Sequence, residues 1–300
     1  MNVLSLRNVT KTYQNHTAVN DISFDVPQGS IFGLLGPNGA GKTSLIRMIT
    51  MITGLDQGEI KLNGHNLNQD MILDIGYLPE ERGLYKKMKV GDQLMYLAQL
   101  RGLSKQDAKR DIKHWLQKFD AETWWNKNIE ELSKGMQQKI QFIATVIHKP
   151  KLLILDEPFT GLDPLNTNLI KDEIFRMNDE GASIIFSTHR MEQVEEICKD
   201  IVLINDGALV LEGEMNAVKQ KFKENKYRIE FDGTLPTHLK TNSFAIESDD
   251  EKGLVIRVLP GHDSNEFLDS LITEGIHINS FQEILPSLND IFIKNVNNKI

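Results

Sequence analysis

The segment of this 300-residue chain with the clearest capacity for chemistry is the glycine-rich run GPNGAGKT, residues 36–43. The apolar residues 30–35 before it predict a buried strand, and the apolar spacing of residues 44–49 after it predicts a helix. Glycines allow successive backbone N–H groups to point toward one place, and the N-terminus of the following helix adds the positive end of its dipole. We therefore predict a cradle for a polyphosphate, formed by Gly36, Pro37, Asn38, Gly39, Ala40, Gly41, Lys42, Thr43 and Ser44.

Three side chains have predicted roles in binding a nucleotide at this loop. Lys42 is placed to reach the β- and γ-phosphates, and the hydroxyl of Thr43 is placed to ligate Mg²⁺. Tyr13 lies in a polar stretch between two predicted strands, and two interpretations of it are equally good: a ring stacked on the nucleotide base, or a packed surface tyrosine. The pattern predicts a site for a nucleoside triphosphate with Mg²⁺.

A pair of adjacent carboxylates follows the apolar run 151–155, which predicts a strand buried on both faces of a parallel sheet. Open α/β sheets place their ligands at the carboxyl ends of such strands. Asp156 would hold Mg²⁺ together with Thr43, and Glu157 would orient or deprotonate an attacking water. A second strand, residues 183–187, ends in Thr188 and His189, so we expect His189 at the same edge. The histidines at positions 16, 114, 148 and 277 are expected on the surface.

Composition restricts the class of protein. Hydrophobic residues at 40% and charged residues at 25% are typical of a soluble globular chain. A net charge of -8 argues against a nucleic-acid-binding surface, so we expect no nucleic-acid partner. The single cysteine excludes a disulfide framework, and no apolar run approaches the roughly 20 residues that span a bilayer. If the chain works at a membrane, another chain must supply the span.

The spacing of apolar residues in the rest of the chain predicts the strands and helices that position the candidate site residues. Alternating residues at 3–6 and 22–26 predict strands of an antiparallel edge layer, and residues 59–62 and 75–78 predict further strands. Residues 90–100 and 108–119 have helical spacing, so a helical insertion is expected over about 86–150. Trp124 and Trp125 fall within it, either as core residues or as a contact for a partner.

The chain after residue 222 has a different character. Strands are predicted at 227–231, 254–258 and 276–278, with a helix at 267–272, and the segment is acidic. We expect two domains, one over residues 1–222 and a small α+β domain over residues 226–300.

Taken together, these residues resemble the ATP-binding-cassette (ABC) ATPases. The order of GPNGAGKT, the LSKGM run at 132–136, LLILDE at 152–157, GLD at 161–163 and His189 is the order found in that family. The resemblance covers about residues 1–220. Residues 76–85 and the acidic tail are similar to the subgroup that powers sodium-efflux and drug-efflux exporters. The fold this implies is α/β: a P-loop NTPase core with an antiparallel edge sheet and a helical subdomain, plus the C-terminal α+β domain.

The resemblance implies ATP and Mg²⁺ as ligands and adds roles for several residues. His189 would contact the γ-phosphate. Ser133 and Gly135 would reach the γ-phosphate bound by another copy, which makes the active unit a head-to-tail homodimer with ATP at the interface. The membrane partner is a separate permease subunit, docked on residues 81–85 and the helical insertion, which places the chain on the cytoplasmic face of the cell membrane.

The sequence departs from the family pattern at three positions. Lys134 and Met136 stand where the family usually has Gly and Gln, with Gln137 next in line to replace the latter. Glu80 stands where the family usually has Gln, and its carboxylate is a candidate Mg²⁺ ligand. The alternative function is that of a soluble ABC ATPase outside transport, either ribosome-associated or regulatory. The transported species (sodium ion, drug, peptide or lipid) stays open.

Overall fold

The computed structural model describes residues 1–81, 83–233, 243–250 and 253–297. It divides into two compact units, Met1–Met215 and Asn216–Ile300. The sequence placed the break at residues 222–226, and the domain limits 1–222 and 226–300 stay predictions. Arg82, within the predicted dock at 81–85, lies outside the described residues.

Within the described residues the first unit contains ten strands and six α-helices, and a seventh α-helix begins at Met215, the last residue of this unit, and continues into the second. The strands are β1 (Asn2–Tyr13), β2 (His16–Pro27), β3 (Ile31–Leu35), β4 (Gln57–Leu62), β5 (His65–Asn66), β6 (Ile75–Leu78), β7 (Leu152–Asp156), β8 (Ser183–Thr188), β9 (Asp200–Asn205) and β10 (Ala208–Glu214) within the described residues. The helices there are α1 (Lys42–Ile49), α2 (Val90–Leu100), α3 (Lys105–Lys118), α4 (Lys134–Val146), α5 (Pro164–Asp179), α6 (Met191–Ile197) and α7 (Met215–Lys221).

A six-stranded sheet in the order β10-β9-β3-β8-β7-β6 forms the centre of this unit. Its strands are parallel except for β10, which pairs antiparallel with β9. Every residue of β3, β7 and β8 is buried, as expected for strands covered on both faces. The register pairs Leu35 with Thr188 and Asp156 with Ser187, so these three strands end at one edge of the sheet. This confirms the predicted α/β core.

A second sheet, in the order β2-β1-β4-β5, is antiparallel and forms the predicted edge layer. Helix α1 contributes Leu45, Ile46 and Ile49 to a core that also takes residues from β1, β2 and β3. All three side chains are fully buried. Because α1 begins where the glycine-rich loop ends, this packing fixes the loop to both sheets.

The turn between β9 and β10 also supports the loop. Asp206 and Gly207 both have positive φ, 48° and 74°, which is the geometry of a two-residue hairpin turn. The backbone N–H of Gly207 donates to the carbonyl oxygen of Ala40 at 3.0 Å. The hairpin predicted from the sequence therefore also stabilises the glycine-rich loop through this hydrogen bond.

The helical insertion contains α2, α3 and α4, and its interior is aromatic. Trp115, Phe119 and Phe142 form a cluster with ring centroids 5.8–6.2 Å apart. The ring of Trp125 lies so close to Gly91 that a Cβ added there would come within 2.4 Å of it. Trp125 is thus a packing residue of the insertion, the first of its two predicted interpretations.

The second unit contains an antiparallel sheet in the order β12-β13-β11-β14. Its elements in the described residues are β11 (Lys226–Phe231), β12 (Phe244–Asp250), β13 (Gly253–Val258), α8 (Ser264–Thr273), β14 (Ile278–Ile284) and α9 (Leu288–Asn297). The strand predicted at 276–278 was misplaced, since β14 begins at Ile278. Strand β12 and helix α9 were not predicted. Residues 234–242, 251–252 and 298–300 of this predicted domain lie outside the described residues.

Candidate functional site

The glycine-rich loop connects β3 to α1, and two of its positions admit only glycine. Gly36 has φ 152°, and a Cβ there would lie 2.2 Å from the carbonyl oxygen of Ile204. Gly41 has φ 106°, and its Cβ would lie 2.3 Å from the carbonyl oxygen of Ala18. Only a residue without a side chain accepts both the left-handed backbone and the close approach. The backbone of the loop therefore packs directly against β2 and β9, and the loop ends at the N-terminus of α1.

Lys42, the first residue of α1, is 7% exposed. Its Nζ donates to the carbonyl oxygens of Gly36 at 2.6 Å and Pro37 at 3.1 Å. Burial lowers the pKa of Lys42, and the negative charges of three nearby carboxylates, on Asp156, Glu157 and Glu80, act in the opposite direction. The ammonium group therefore lies inside the loop and close to the acidic residues.

Asp156 ends β7 and is 2% exposed. The hydroxyl of Ser187 donates to its Oδ1 at 2.7 Å, whereas its Oδ2 has no hydrogen-bond partner in the described part of the chain. Burial raises the pKa of Asp156, against the effect of the Ser187 bond and of Lys42. A buried carboxylate oxygen without a donor is suited to a cation, and a hard oxygen ligand is what Mg²⁺ prefers.

Glu157 lies just beyond the strand in a left-handed conformation, φ 51°, which is uncommon for a residue with a side chain. Its carboxylate accepts bonds from two residues at the end of β8. Thr188 Oγ1 donates to Oε2 at 3.1 Å, and the backbone N–H of His189 donates to Oε1 at 2.8 Å. The sharp turn thus brings the Glu157 carboxylate back to the neighbouring strand end.

His189 reaches the same carboxylate with its ring, since Nδ1 lies 2.6 Å from Glu157 Oε1. The His189 side chain is 45% exposed, whereas that of Glu157 is 8% exposed. His189 does not line the cavity at the glycine-rich loop. In this structure it therefore holds Glu157 and presents the other side of its ring to solvent.

A cavity of about 380 Å³ joins these groups. The predicted site residues lining it are Tyr13, Asn38, Gly39, Ala40, Gly41, Lys42, Thr43, Ser44, Glu80, Asp156 and Glu157. Glu80 is exposed at this cavity, and the Tyr13 ring stands 5.5 Å from the Lys11 ammonium. The structure thus brings Lys42, most of the glycine-rich loop and all three predicted metal ligands to one cavity, whereas Gly36, Pro37 and His189 do not line it.

Ser133 and Gly135 lie elsewhere, since neither lines this cavity. Ser133 caps α4, with its Oγ accepting from the Met136 N–H at 3.3 Å. A Cβ at Gly135 would lie 3.3 Å from the carbonyl oxygen of Gly161, so the start of α4 adjoins the GLD segment. Within one chain the start of α4 and the glycine-rich loop are separate surfaces.

Sequence reasoning missed several supporting residues. Ser187 and Thr188 are fully buried and bond to Asp156 and Glu157, and a Ser-Thr pair ending a buried strand could have signalled this. His16 also lines the cavity. Gln137, expected to replace the glutamine absent at 136, instead donates to the carbonyl oxygens of Ile129 and Leu132 in its own chain, at 3.2 and 3.0 Å.

Helix α4 also supports the loops at the cavity, which was not predicted. Gln138 Nε2 donates to the carbonyl oxygen of Pro158 at 2.9 Å. Gln141 Nε2 donates to the carbonyl oxygens of Pro79 at 3.1 Å and Glu81 at 3.4 Å, on either side of Glu80. The segments carrying Glu157 and Glu80 are therefore both attached to this helix.

The prediction that His148 lies on the surface is wrong. Both of its ring nitrogens are buried. Burial, and next the charge of Arg101, lower the pKa of His148 to about 4. His148 lies two residues beyond the last residue of α4, in the turn that leads to β7. His16, His114 and His277 are exposed, as predicted.

The parallel sheet, the glycine-rich loop at its carboxyl edge and the acidic pair define a P-loop nucleotide-binding fold. The ABC transporter family model matches residues 19–160, and the model of the C-terminal domain of DrrA1-3-like ATP-binding proteins matches residues 213–296.

Similar proteins are known among sequences and solved structures. The uncharacterized ABC transporter ATP-binding protein YhaQ of Bacillus subtilis is 42% identical, covering 98% of each chain. The bacitracin transport ATP-binding protein BcrA of Enterococcus faecalis is 30% identical, covering 97% of this chain and 96% of its own. A dimeric ATP-binding cassette solved with ADP and phosphate shares the fold, with TM-score 0.65 and 20% identity over 71% of this chain and 98% of its own.

The chain therefore belongs to the ABC transporter ATP-binding proteins. It is an ATPase subunit, and the nucleotide of its P-loop is ATP. No helix within the described ranges is both long and apolar enough to cross a membrane. Subunits of this class power transport through a separate membrane-spanning chain.

Proposed function

We propose that this chain drives an exporter by hydrolysing Mg²⁺-bound ATP between two copies of itself, on the cytoplasmic face of the cell membrane. The observation that carries the proposal is the meeting of the P-loop, Asp156, Glu157 and the end of β8 at one edge of the sheet. The transport role draws on BcrA, a bacitracin transport ATP-binding protein, and the export direction on a linearmycin resistance ATP-binding protein of Bacillus subtilis that is 35% identical over 70% of this chain. We keep the proposed domain limits 1–222 for the ATPase and 226–300 for the accessory domain.

In this proposal the P-loop, Gly36 to Ser44, wraps the phosphates with its backbone N–H groups, and Lys42 moves its ammonium from loop carbonyls to the β- and γ-phosphates. A cation and backbone donors at a helix N-terminus are the groups that stabilise a polyphosphate. The Tyr13 ring, which lines the same cavity, stacks on the base.

The proposed Mg²⁺ ligands are Thr43, Asp156 and Glu80. The unpartnered Oδ2 of Asp156 fits this role, and all three side chains line the cavity. Mg²⁺ commonly binds through one or two carboxylates together with phosphate oxygens and water. No group of three or more His, Cys, Asp or Glu side chains in the described residues is arranged as a metal site by itself. When bound, the ion would neutralise charge on the transferred phosphoryl group.

The proposed catalytic residues are Glu157, His189 and Lys42. Glu157 takes the proton of the attacking water, or orients that water, in line with the γ-phosphate. Thr188 and His189 hold its carboxylate, and the exposed side of the His189 ring is free to meet the γ-phosphate. Lys42 stabilises the developing negative charge.

The second half of each site comes from the partner copy in this proposal. Ser133 and Gly135 lie away from the cavity of their own chain, with the N-terminus of α4 presented outward. A two-fold dimer would bring this positive helix end to the γ-phosphate on the other copy. ATP would then favour the closed dimer because its phosphates touch both halves, and loss of the γ-phosphate would remove that preference.

The test is affinity purification of the chain from detergent-solubilised membranes of its own cell. We expect a multi-span membrane protein in near-equal amount, and ATPase activity in the purified assembly. Ribosomal proteins in its place, or a chain recovered alone from the soluble fraction, would contradict the transporter proposal and support the alternative of a soluble ABC ATPase.

A further inference from the structure

Glu173 is a buried carboxylate that lies away from the ATP cavity. In the described part of the chain, the charged residues that are buried are Lys42, Asp156, Glu157 and Glu173. The first three line the ATP cavity, whereas Glu173 lies in the middle of α5 and does not line it. Removing a carboxylate from water is costly unless cations and hydrogen-bond donors compensate it. A buried glutamate outside the ATP cavity therefore indicates a role in holding other elements in place.

Two cations compensate the charge of Glu173, and they come from different helices. The ammonium group of Lys118, the last residue of α3, lies 2.5 Å from Glu173 Oε1. Arg176, one turn further along α5, donates through Nε to Glu173 Oε2 at 2.9 Å. Helix α3 belongs to the helical insertion, whereas α5 connects β7 with β8 of the central sheet. The bond between Lys118 and Glu173 therefore joins the helical insertion to the central part of the first unit.

The ring of Trp115 lies beside this ion pair and extends it to a third helix. Both cations lie over the ring, with Lys118 Nζ 5.6 Å and the guanidinium carbon of Arg176 5.8 Å from its centroid. Such cation–π contacts are strongest where the ring is buried, as it is here. Trp115 also packs edge to face against Phe142 of α4, with ring centroids 6.2 Å apart. One aromatic side chain thus connects α3, α4 and α5.

Helices α4 and α5 also meet near their N-termini. A Cβ added to Gly135 of α4 would lie 3.3 Å from the carbonyl oxygen of Gly161, two residues before Asp163 caps α5. The two helices are therefore joined near their first turns by this close approach and further along by Trp115. Because Ser133 caps α4, the same two connections fix where Ser133 lies relative to the rest of its own chain.

We propose that Glu173 is a positioning residue for the second half of the ATP site, because its bond to Lys118 holds the helical insertion, and with it the start of α4, in the orientation that the closed dimer requires. Apolar packing is non-directional, whereas a charge-assisted hydrogen bond fixes the distance and direction between its partners. This inference rests on the proposed dimer. Loss of the bond should weaken the ATP-bound dimer and leave nucleotide binding by a single chain unchanged, since Glu173 does not line the ATP cavity.

The test measures dimerisation of the full chain with Mg²⁺ and ATP by sedimentation velocity. The parent chain and every variant carry Glu157→Gln, which should prevent hydrolysis and so retain the ATP-bound dimer. Glu173→Gln should raise the dissociation constant of the dimer by about tenfold or more, because it leaves the charge of Lys118 without its partner. The affinity of the same chain for a fluorescent ADP analogue should not change, because the P-loop is intact. Thermal melting of each variant reports its folding.

Changes at Lys118 test the same bond from its more exposed side. Lys118→Gln should give the same loss and keeps the test valid if Glu173→Gln does not fold. Lys118→Arg, which keeps the cation, should retain most of the dimer. The double variant Lys118→Gln/Glu173→Gln should be no weaker than either single variant, because each change removes the same bond. The matched control is Lys171→Gln, which breaks the ion pair of α5 with Glu196 of α6 and should leave the dissociation constant unchanged.

Four results would contradict this inference. Equal dissociation constants in the parent chain, Lys118→Gln and Glu173→Gln would overturn the positioning role alone. A lower melting temperature with an unchanged dissociation constant would do the same, since the ion pair would then be purely structural. Losses that add in the double variant would show that the two residues do not act as a pair. A parent chain that stays monomeric with ATP would overturn the proposed dimer, and this inference with it.

Discussion

The carboxyl edge of the central sheet and helix α4 serve one site by opposite means. At the edge, the side chains that form the site follow three separate strands, and the register of β3, β7 and β8 brings them together. In α4, the supporting side chains come from one helix. Gln138, Gln141 and Thr145 are spaced three and four residues apart, so they lie on one face of the helix. Gln138 and Gln141 bond to backbone carbonyls of loops at the site, and Thr145 donates to the carbonyl oxygen of Tyr77 in β6.

This difference separates the residues that act on the nucleotide from the residues that hold them in position. Acidic and cationic side chains at the edge meet the nucleotide, and their residue types reveal them. Gln138, Gln141 and Thr145 of α4 donate only to backbone carbonyl oxygens, and the same residue types could occur on any surface helix. Changes at the edge should therefore affect hydrolysis most, and changes in α4 should affect mainly the position of the edge residues.

The largest expected effect is that of Glu157→Gln. The amide cannot accept the proton of the attacking water, so we expect hydrolysis to fall by about 10²- to 10⁴-fold. ATP binding should persist, since the P-loop is unchanged. Single-turnover hydrolysis and equilibrium binding of a fluorescent ATP analogue check the two expectations. Glu180→Gln, which alters an exposed glutamate paired with Arg176, is the control. Turnover near the wild-type rate in Glu157→Gln would show that another residue acts on the water.

Lys42→Ala should rank second and should act on binding. Hydrogen bonds to charged groups contribute about 1.5–3 kcal/mol, which corresponds to roughly 10- to 150-fold in ATP affinity. Equilibrium dialysis with ATP measures the change directly. Lys61→Ala on β4, an exposed lysine paired with Glu59, should leave the affinity unchanged. An unchanged affinity in Lys42→Ala would remove Lys42 from the phosphate site.

The contrast between the sheet edge and helix α4 also explains which site residues could be predicted from the sequence. The P-loop, Asp156 and Glu157 were found because glycines, a lysine and two carboxylates at the ends of apolar runs have few other uses. Strand β12 was missed because FAIESDD ends in four polar residues and lacks alternation. Gln141 was missed because its role depends on a segment 60 residues away in sequence. His148 was misjudged because it lies beyond the end of α4, where helical periodicity does not show how deeply a side chain is buried.

Gln141→Leu should give a smaller effect than the edge variants. It removes two bonds to the carbonyl oxygens beside Glu80, each worth about 0.5–1.5 kcal/mol net. If Gln141 positions Glu80, the Mg²⁺ concentration that half-saturates nucleotide binding should rise by about 2- to 10-fold. The measurement is a Mg²⁺ titration of fluorescent-nucleotide binding. Gln106→Leu on the exposed face of α3 is the control. A lower melting temperature with an unchanged Mg²⁺ titration would assign Gln141 a purely structural role.

The effect furthest from the chemistry concerns stability and tests the turn after α4. His148 has its pKa lowered to about 4 by burial, whereas the unfolded chain titrates near 6.5. Below pH 6.5 the unfolded state takes up a proton that the folded state refuses until about pH 4. The free energy of unfolding should therefore fall through this window, by about 2 kcal/mol at pH 5. His148→Leu should flatten this loss between pH 7 and pH 5 in urea unfolding, and His114→Leu, at an exposed position, should not. Equal pH dependence of the free energy of unfolding in wild type and His148→Leu would mean that solvent protons already reach the His148 ring. In that case only the N-terminal part of α4, near the site, would be fully packed.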